Sequence, residues 1–266
     1  MIDVRENPLH GIVIADFVSK VCRRGLSVGA DGVILIDRST KSDYAWHYYN
    51  ADGGEVNMCG NGSRCAARFT YLNQIAPANQ RFETPAGIIH AKVFGQDKDR
   101  VKIQLTNPTD FKLHLNVQID QNNLEGHFVN TGVPHVVYFM DDLEKIDLVG
   151  LGRSTRTHSL FAPNGTNANF VKIIDRHHLQ IRTYERGVED ETLACGTGSV
   201  AAAVIAAMLG KTDSPISVQT QSGISLGVTF CRGRSPSKEN EQFNDVMLEG
   251  DARIIYKGTL SEEALL

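Results

Sequence analysis

Two rhythms of apolar residues run along this chain. Ile224, Leu226, Val228 and Phe230 alternate with polar or small neighbours, the period-two pattern of a half-buried strand. Two other segments, residues 63–72 and 199–209, are rich in alanine and aliphatic side chains and read as helices. The second is apolar nearly all round, which predicts a helix buried on every side. A further helical stretch holds Phe17, Val18, Val21 and Cys22. Residues 107–126, opening on Asn107-Pro108, read as a joint, and the polar residues 232–244 as a surface loop.

The elements repeat. Cys59-Gly60-Asn61-Gly62-Ser63 and Ala66-Ala67 recur as Cys195-Gly196-Thr197-Gly198-Ser199 and Ala202-Ala203, an offset of 136 (195 − 59). Thr84, Gly87 and Ile88 match Thr220, Gly223 and Ile224 at the same offset, and Asp37-Arg38 matches Asp175-Arg176 at 138. Tyr49-Asn50 and Tyr184-Glu185 each end a strand-like run shortly before the cysteine. The expected fold is therefore α+β: two pseudo-symmetric halves, each a curved, mostly antiparallel sheet around a central helix, with the active site between them. The expected divisions are 1–114, 115–250, and a tail, 251–266, returning to the first half.

Composition narrows the function. Acidic and basic side chains nearly balance, 31 against 27, so no field suited to nucleic acid or an anionic membrane is expected, and a small-molecule partner fits better. The longest apolar run, residues 200–209, is about half the roughly 20 residues that a spanning helix needs. The first ten residues lack the basic start and apolar stretch of a secretory signal, so the expected location is the cytoplasm. Five cysteines at irregular spacing, with no CxxC and no Cys/His cluster, suggest neither a disulfide framework nor a metal site.

The repeat singles out two of the five. Cys59 and Cys195 each stand just before a predicted helix, followed by glycines that leave backbone amides exposed. Free N–H groups at a helix start bind anions and favour thiolate. Two such starts together would clamp a carboxylate and present two thiols, one to remove an α-proton and one to deliver a proton to the opposite face. No cofactor and no metal are expected. The bland alternative, a small residue buried at a helix end, suits Cys65, which falls opposite Ala201, and also Cys22 and Cys231. Two reactive cysteines could also form a redox pair, but such a pair has no need of two matched helix starts.

These residues carry a resemblance. NADGGEVNMCGNGSRCAARF (50–69), TGVPHVVYF (131–139), GTNANF (165–170) and ERGVEDETLACGTGS (185–199) resemble the signature blocks of the diaminopimelate epimerases across nearly the whole chain. The resemblance implies interconversion of LL- and meso-2,6-diaminopimelate, a precursor of lysine and peptidoglycan, and a homodimer. It implies that Cys59 and Cys195 are the acid/base thiols, with His135 assisting the first and Glu185 the second. Gly60, Asn61, Gly196 and Thr197 would hold the α-carboxylate. Asn50, Asn167, Glu185 and Arg186 would read the distal end. Racemases of proline or histidine share the CGNG and CGTG strings, and a catalytically impaired binder is the remaining alternative.

The chain also departs from the family pattern. The strand holding Val133, Pro134 and His135 finds no counterpart ahead of Met1, and the GND-type turn expected with it is missing, so the first half is expected to be a strand short. Val133 stands where some members have Asn, and the step from Glu185 to Cys195 is one residue longer than in many relatives.

Overall fold

The computed structural model describes residues 1–119, 122–234 and 241–266. It divides into two compact units, residues 1–103 with 250–266, and residues 104–249. The first boundary precedes the 114/115 division expected from sequence.

The first unit carries β1 (Ile2–Asp3), α1 (Ile14–Val21), β2 (Gly32–Asp37), β3 (Tyr44–Asn50), β4 (Glu55–Val56), α2 (Gly60–Leu72), β5 (Asn79–Thr84), β6 (Gly87–Phe94) and β7 (Arg100–Gln104). Its strands lie in the order β1-β2-β3-β5-β6-β7, with β4 paired to β3. The second carries β8 (Thr109–Ile119), β9 (Asn122–Asn130), β10 (Pro134–Phe139), α3 (Leu148–Arg156), β11 (Asn167–Ile173), β12 (His178–Glu185), β13 (Asp190–Thr192), α4 (Gly196–Met208), β14 (Ile216–Gln219), β15 (Ser225–Arg234) and β16 (Glu241–Asp251). Here the order is β8-β9-β10-β11-β12-β14-β15-β16, with β13 paired to β12.

The repeat read from the sequence is also a repeat of strand directions. β1·β2 and β10·β11 are parallel, β2·β3 and β11·β12 antiparallel, β3·β5 and β12·β14 parallel, β5·β6 and β14·β15 antiparallel. The short strands β4 and β13 hold matching places. Each unit thus has parallel pairs as well as antiparallel ones, and a second helix, α1 or α3, besides the one that follows its cysteine. The match is weakest at its beginning: β1 pairs two residues with β2, whereas β10 pairs five with β11.

Packing explains the helices. All ten residues from Gly198 to Ala207 of α4 are buried, as its apolar composition requires. Its Val200, Val204 and Ile205 are fully buried, and each such side chain contributes about 1.5–3 kcal/mol. α2 is more polar and buries Ser63, Arg64, Ala66, Ala67 and Thr70.

Three expectations need correction. Residues 107–126 are no joint: β8 and β9 form an antiparallel hairpin that extends the second unit's sheet. The alternation of Phe111, Leu113, Leu115, Val117 and Ile119 outweighs the Asn-Pro signal, and Val117 and Ile119 are buried. Residues 232–244 are strand at both ends, where β15 pairs with β16 from Arg232↔Phe243 outward, and the rest of that loop, 235–240, lies outside the described residues. Cys231 is exposed rather than packed, while Cys22 is buried and Cys65 half-buried.

Candidate active site

Each cysteine is the N-cap of its helix, in extended backbone: Cys59 at φ −144°, ψ 120° and Cys195 at φ −122°, ψ 113°. An N-cap side chain normally accepts from the free amides of the first turn. Cys59 does so, taking the Gly62 N–H on its sulfur at 3.5 Å. The Cys195 sulfur lies 3.5 Å from Thr197 Oγ1.

In the first unit, Gly60 and Asn61 form the opening of α2. Arg64, 5% exposed, folds back over them: its Nη2 donates to Asn61 Oδ1 at 2.6 Å, its Nη1 reaches the Gly60 carbonyl at 3.5 Å and its Nε the Asp251 carbonyl at 3.4 Å. Asn61 is thereby held by a charge-assisted bond. Burial pushes the Tyr48 phenol up to about 12, and the charge on a Cys59 thiolate adds to the shift. Asn50 is exposed at the end of β3, its carbonyl accepting from the Gly53 N–H at 2.9 Å. A Cβ at Gly62 would stand 3.1 Å from Ile34 Cδ1, so the Ile34 side chain would have to give by a few tenths of an ångström.

The second unit gathers more of the predicted residues. Cys195 is buried, and its thiol is pushed up to about 12, by burial first and then by the Glu185 carboxylate beside it. Glu185, the last residue of β12, is steadied by Thr192 Oγ1 at 2.9 Å, a bond made across the β12–β13 pair. Asn167 ties the neighbouring strand ends together: its Nδ2 donates to the Pro134 carbonyl at 2.9 Å and its Oδ1 accepts the Arg186 N–H at 2.8 Å. The Arg186 guanidinium reaches the Asn164 carbonyl at 3.0 Å. The first turn of α4 is held by Thr131, whose Oγ1 donates to the Thr197 carbonyl at 3.1 Å. His135 is fully buried, and burial lowers its pKa to about 3, so its ring is neutral at any ordinary pH.

Three contributors escaped the sequence reading. Arg64 lies inside the quoted CGNGSRC string, at the point where the repeat breaks to Val200. Asn169 stands two residues beyond Asn167 on the same face of β11, which GTNANF could have signalled. Thr131 had no signal beyond its place in the TGVPH block.

Among the described residues one group could gather a metal ion, His114, Glu125 and His127 on the β8–β9 hairpin, with candidate atoms within 4.8 Å of one another. It includes neither cysteine. His114 Nδ1 is already closed on the Glu125 carboxylate at 2.6 Å, and His127 Nδ1 accepts the His114 N–H at 3.2 Å. The Lys211 charge acts on Glu125 and His127 as well, and the group is a hydrogen-bonded cluster of the hairpin. None of the helices among the described residues is long and apolar enough to cross a membrane.

The chain is similar to known proteins in fold and in sequence. The structure is similar to that of a probable proline racemase from Agrobacterium radiobacter, with a TM-score of 0.68 at 13% identity over 94% of this chain and 83% of the other, a likeness of fold. In sequence the chain is 46% identical to the diaminopimelate epimerase of Hydrogenobaculum, over 99% of this chain and 94% of that one. It is 42% identical to the diaminopimelate epimerase of Aquifex aeolicus, over all of this chain and 94% of the relative. The family model described as diaminopimelate epimerase matches residues 3–110 and 127–232, which include both cysteine motifs. The chain belongs to the diaminopimelate epimerase family.

Proposed function

We propose that this protein interconverts LL- and meso-2,6-diaminopimelate without a cofactor, with Cys59 and Cys195 acting from opposite faces of the α-carbon. The observation that supports it best is the pair of cysteine N-caps, each opening a helix at the same place in a repeated fold, in a chain of this family. The amides of the first turns, at Gly60-Asn61 and Gly196-Thr197, take the α-carboxylate, since a helix start attracts an anion. Asn50, Asn167, Glu185 and Arg186 read the distal amino-acid end.

The two thiols stand in different surroundings, Cys59 half-buried and Cys195 buried. Burial and the Glu185 carboxylate keep Cys195 protonated, so in the resting protein it is the proton donor, and the two-base proposal gives Cys59 the part of the base. Cys59 removes the α-proton, Cys195 delivers its own to the opposite face, and the roles exchange in the reverse direction. Glu185 receives the Cys195 proton when that thiol must become the base. His135 assists Cys59. A cytoplasmic homodimer that binds neither nucleic acid nor membrane completes the proposal, and sedimentation of the reduced protein tests its assembly.

The deciding experiment incubates the reduced protein with LL-diaminopimelate in deuterium oxide and follows the α-proton by NMR. Exchange of that proton with appearance of the meso form is expected. Silence with diaminopimelate but exchange with proline or histidine would reassign the substrate, and no exchange with any of the three would remove the catalytic reading.

A further inference from the structure

His135 lies on β10 and Asn169 on the parallel neighbour β11, both without solvent exposure. The Asn169 side chain makes three contacts. Its Nδ2 is 2.9 Å from the Val136 carbonyl and 3.1 Å from His135 Nδ1, and its Oδ1 is 3.1 Å from Thr183 Oγ1. The orientation of the amide follows from chemistry. A backbone carbonyl can only accept, so the atom facing Val136 must be the NH2 group. The oxygen then faces Thr183, whose hydroxyl donates to it. The same oxygen lies against α4, where a Cβ at Gly198 would stand 2.5 Å from it, so the glycine of the CGTG string leaves room for this amide.

With the amide fixed, the imidazole is fixed too. An NH2 group facing His135 Nδ1 requires that nitrogen to accept, and a neutral imidazole with a bare Nδ1 carries its proton on Nε2. That Nε2 is buried and has no hydrogen-bond partner. A buried N–H left in this way costs about 1–3 kcal/mol, and buried donors without partners concentrate where a ligand or a reacting group completes them. We infer that Asn169, locked by Thr183 and Val136, is a positioning residue that holds His135 in its Nε2–H form, so that His135 acts as a hydrogen-bond donor in the site and not as its base. The inference rests on the proposed epimerase reading for its catalytic consequence, while the tautomer itself does not depend on it. Burial, which keeps the ring neutral, supports the assignment.

Two-bond 15N–1H correlation spectra of protein labelled at histidine test this directly. In the wild-type protein His135 should show a protonated Nε2 and a bare Nδ1. Asn169→Asp keeps the shape but turns an acceptor toward Nδ1, so the proton should move to Nδ1 and kcat should fall by roughly 10²–10⁴-fold, with KM changed far less. If Asn169→Asp does not fold, Asn169→Ala takes its place, with mixed tautomers and a reduced kcat expected. A wild-type His135 protonated on Nδ1 would overturn the proposal, as would an Asn169 variant with a changed tautomer and unchanged kcat. Absence of diaminopimelate turnover in the wild type, with the Nε2–H form present, would instead overturn the epimerase reading and leave the tautomer standing.

Discussion

The two cysteine half-sites share a backbone and differ in charge. Both thiols cap a helix that follows a short strand pair, β3·β4 in one unit and β12·β13 in the other. Five residues beyond Cys59 the chain places a buried cation, Arg64, and in the same position beyond Cys195 it places Val200. Beside Cys195 it places an anion, Glu185, where the repeat gives the first unit Asn50. Duplicated geometry therefore supplies two matching helix-cap thiols, and a few side chains set them in different surroundings. For the proposed acid/base pair the consequence falls on Cys195, which burial and the Glu185 carboxylate hold protonated.

The sharpest way to break this comparison is to remove either thiol. Cys59→Ala and Cys195→Ala should each lower kcat by roughly 10²–10⁴-fold or more, and full activity in either, measured by α-proton exchange, would end the two-base reading. Arg64→Val makes the first half-site like the second. It strands the Asn61 carbonyl oxygen and removes a charged bond worth about 1.5–3 kcal/mol, so kcat/KM should fall roughly 10–100-fold, and unchanged kinetics would leave Arg64 a purely structural residue. Accessibility gives a third contrast. With trace iodoacetamide, peptide mass spectrometry should find Cys59 alkylated at least about tenfold faster than Cys195, whose thiol is buried and held protonated, and equal rates would contradict the asymmetry.

The fourth prediction concerns stability. His135 has a folded pKa near 3, below its unfolded value of about 6.5, so the unfolded chain binds the extra proton first. The contribution is complete above about pH 6.5 and declines as pH falls toward 3, by at most roughly 1.4 kcal/mol per pH unit. Urea unfolding across that range should show a shallower pH dependence for His135→Gln than for the wild type, and parallel curves would refute the assignment. The smallest effect is expected at Cys65, where Ala should cost about 1 kcal/mol of stability or less and leave kcat within about twofold. Inactivation without unfolding would show that Cys65 does more than pack.

Much of this was legible in the residues because the repeat is written in short strings. CGNGS and CGTGS are local features, and they identify both caps and both helices without knowledge of the fold. Strand directions were not legible, since no single run of residues says that β3 pairs in parallel with β5 across the intervening helix α2. The β8–β9 hairpin was hidden by its opening Asn107-Pro108 and by its irregular register, with Asp110 and His114 at positive φ between the paired stretches. The role of Asn169 was invisible for a different reason. Its partners Val136 and Thr183 are distant in sequence, and a buried amide declares what it does only through the groups it meets.

One feature of α4 governs how the second half-site can move. Ten consecutive buried residues leave this helix no solvent-facing side from which to fray, so its central amides should exchange with solvent only when the whole unit unfolds. The capping thiol is therefore mounted on a helix whose middle opens only with its unit. A destabilising substitution far away in the same unit would be felt at Cys195 as a rise in the fraction of molecules with no site at all, and not as a loosened one.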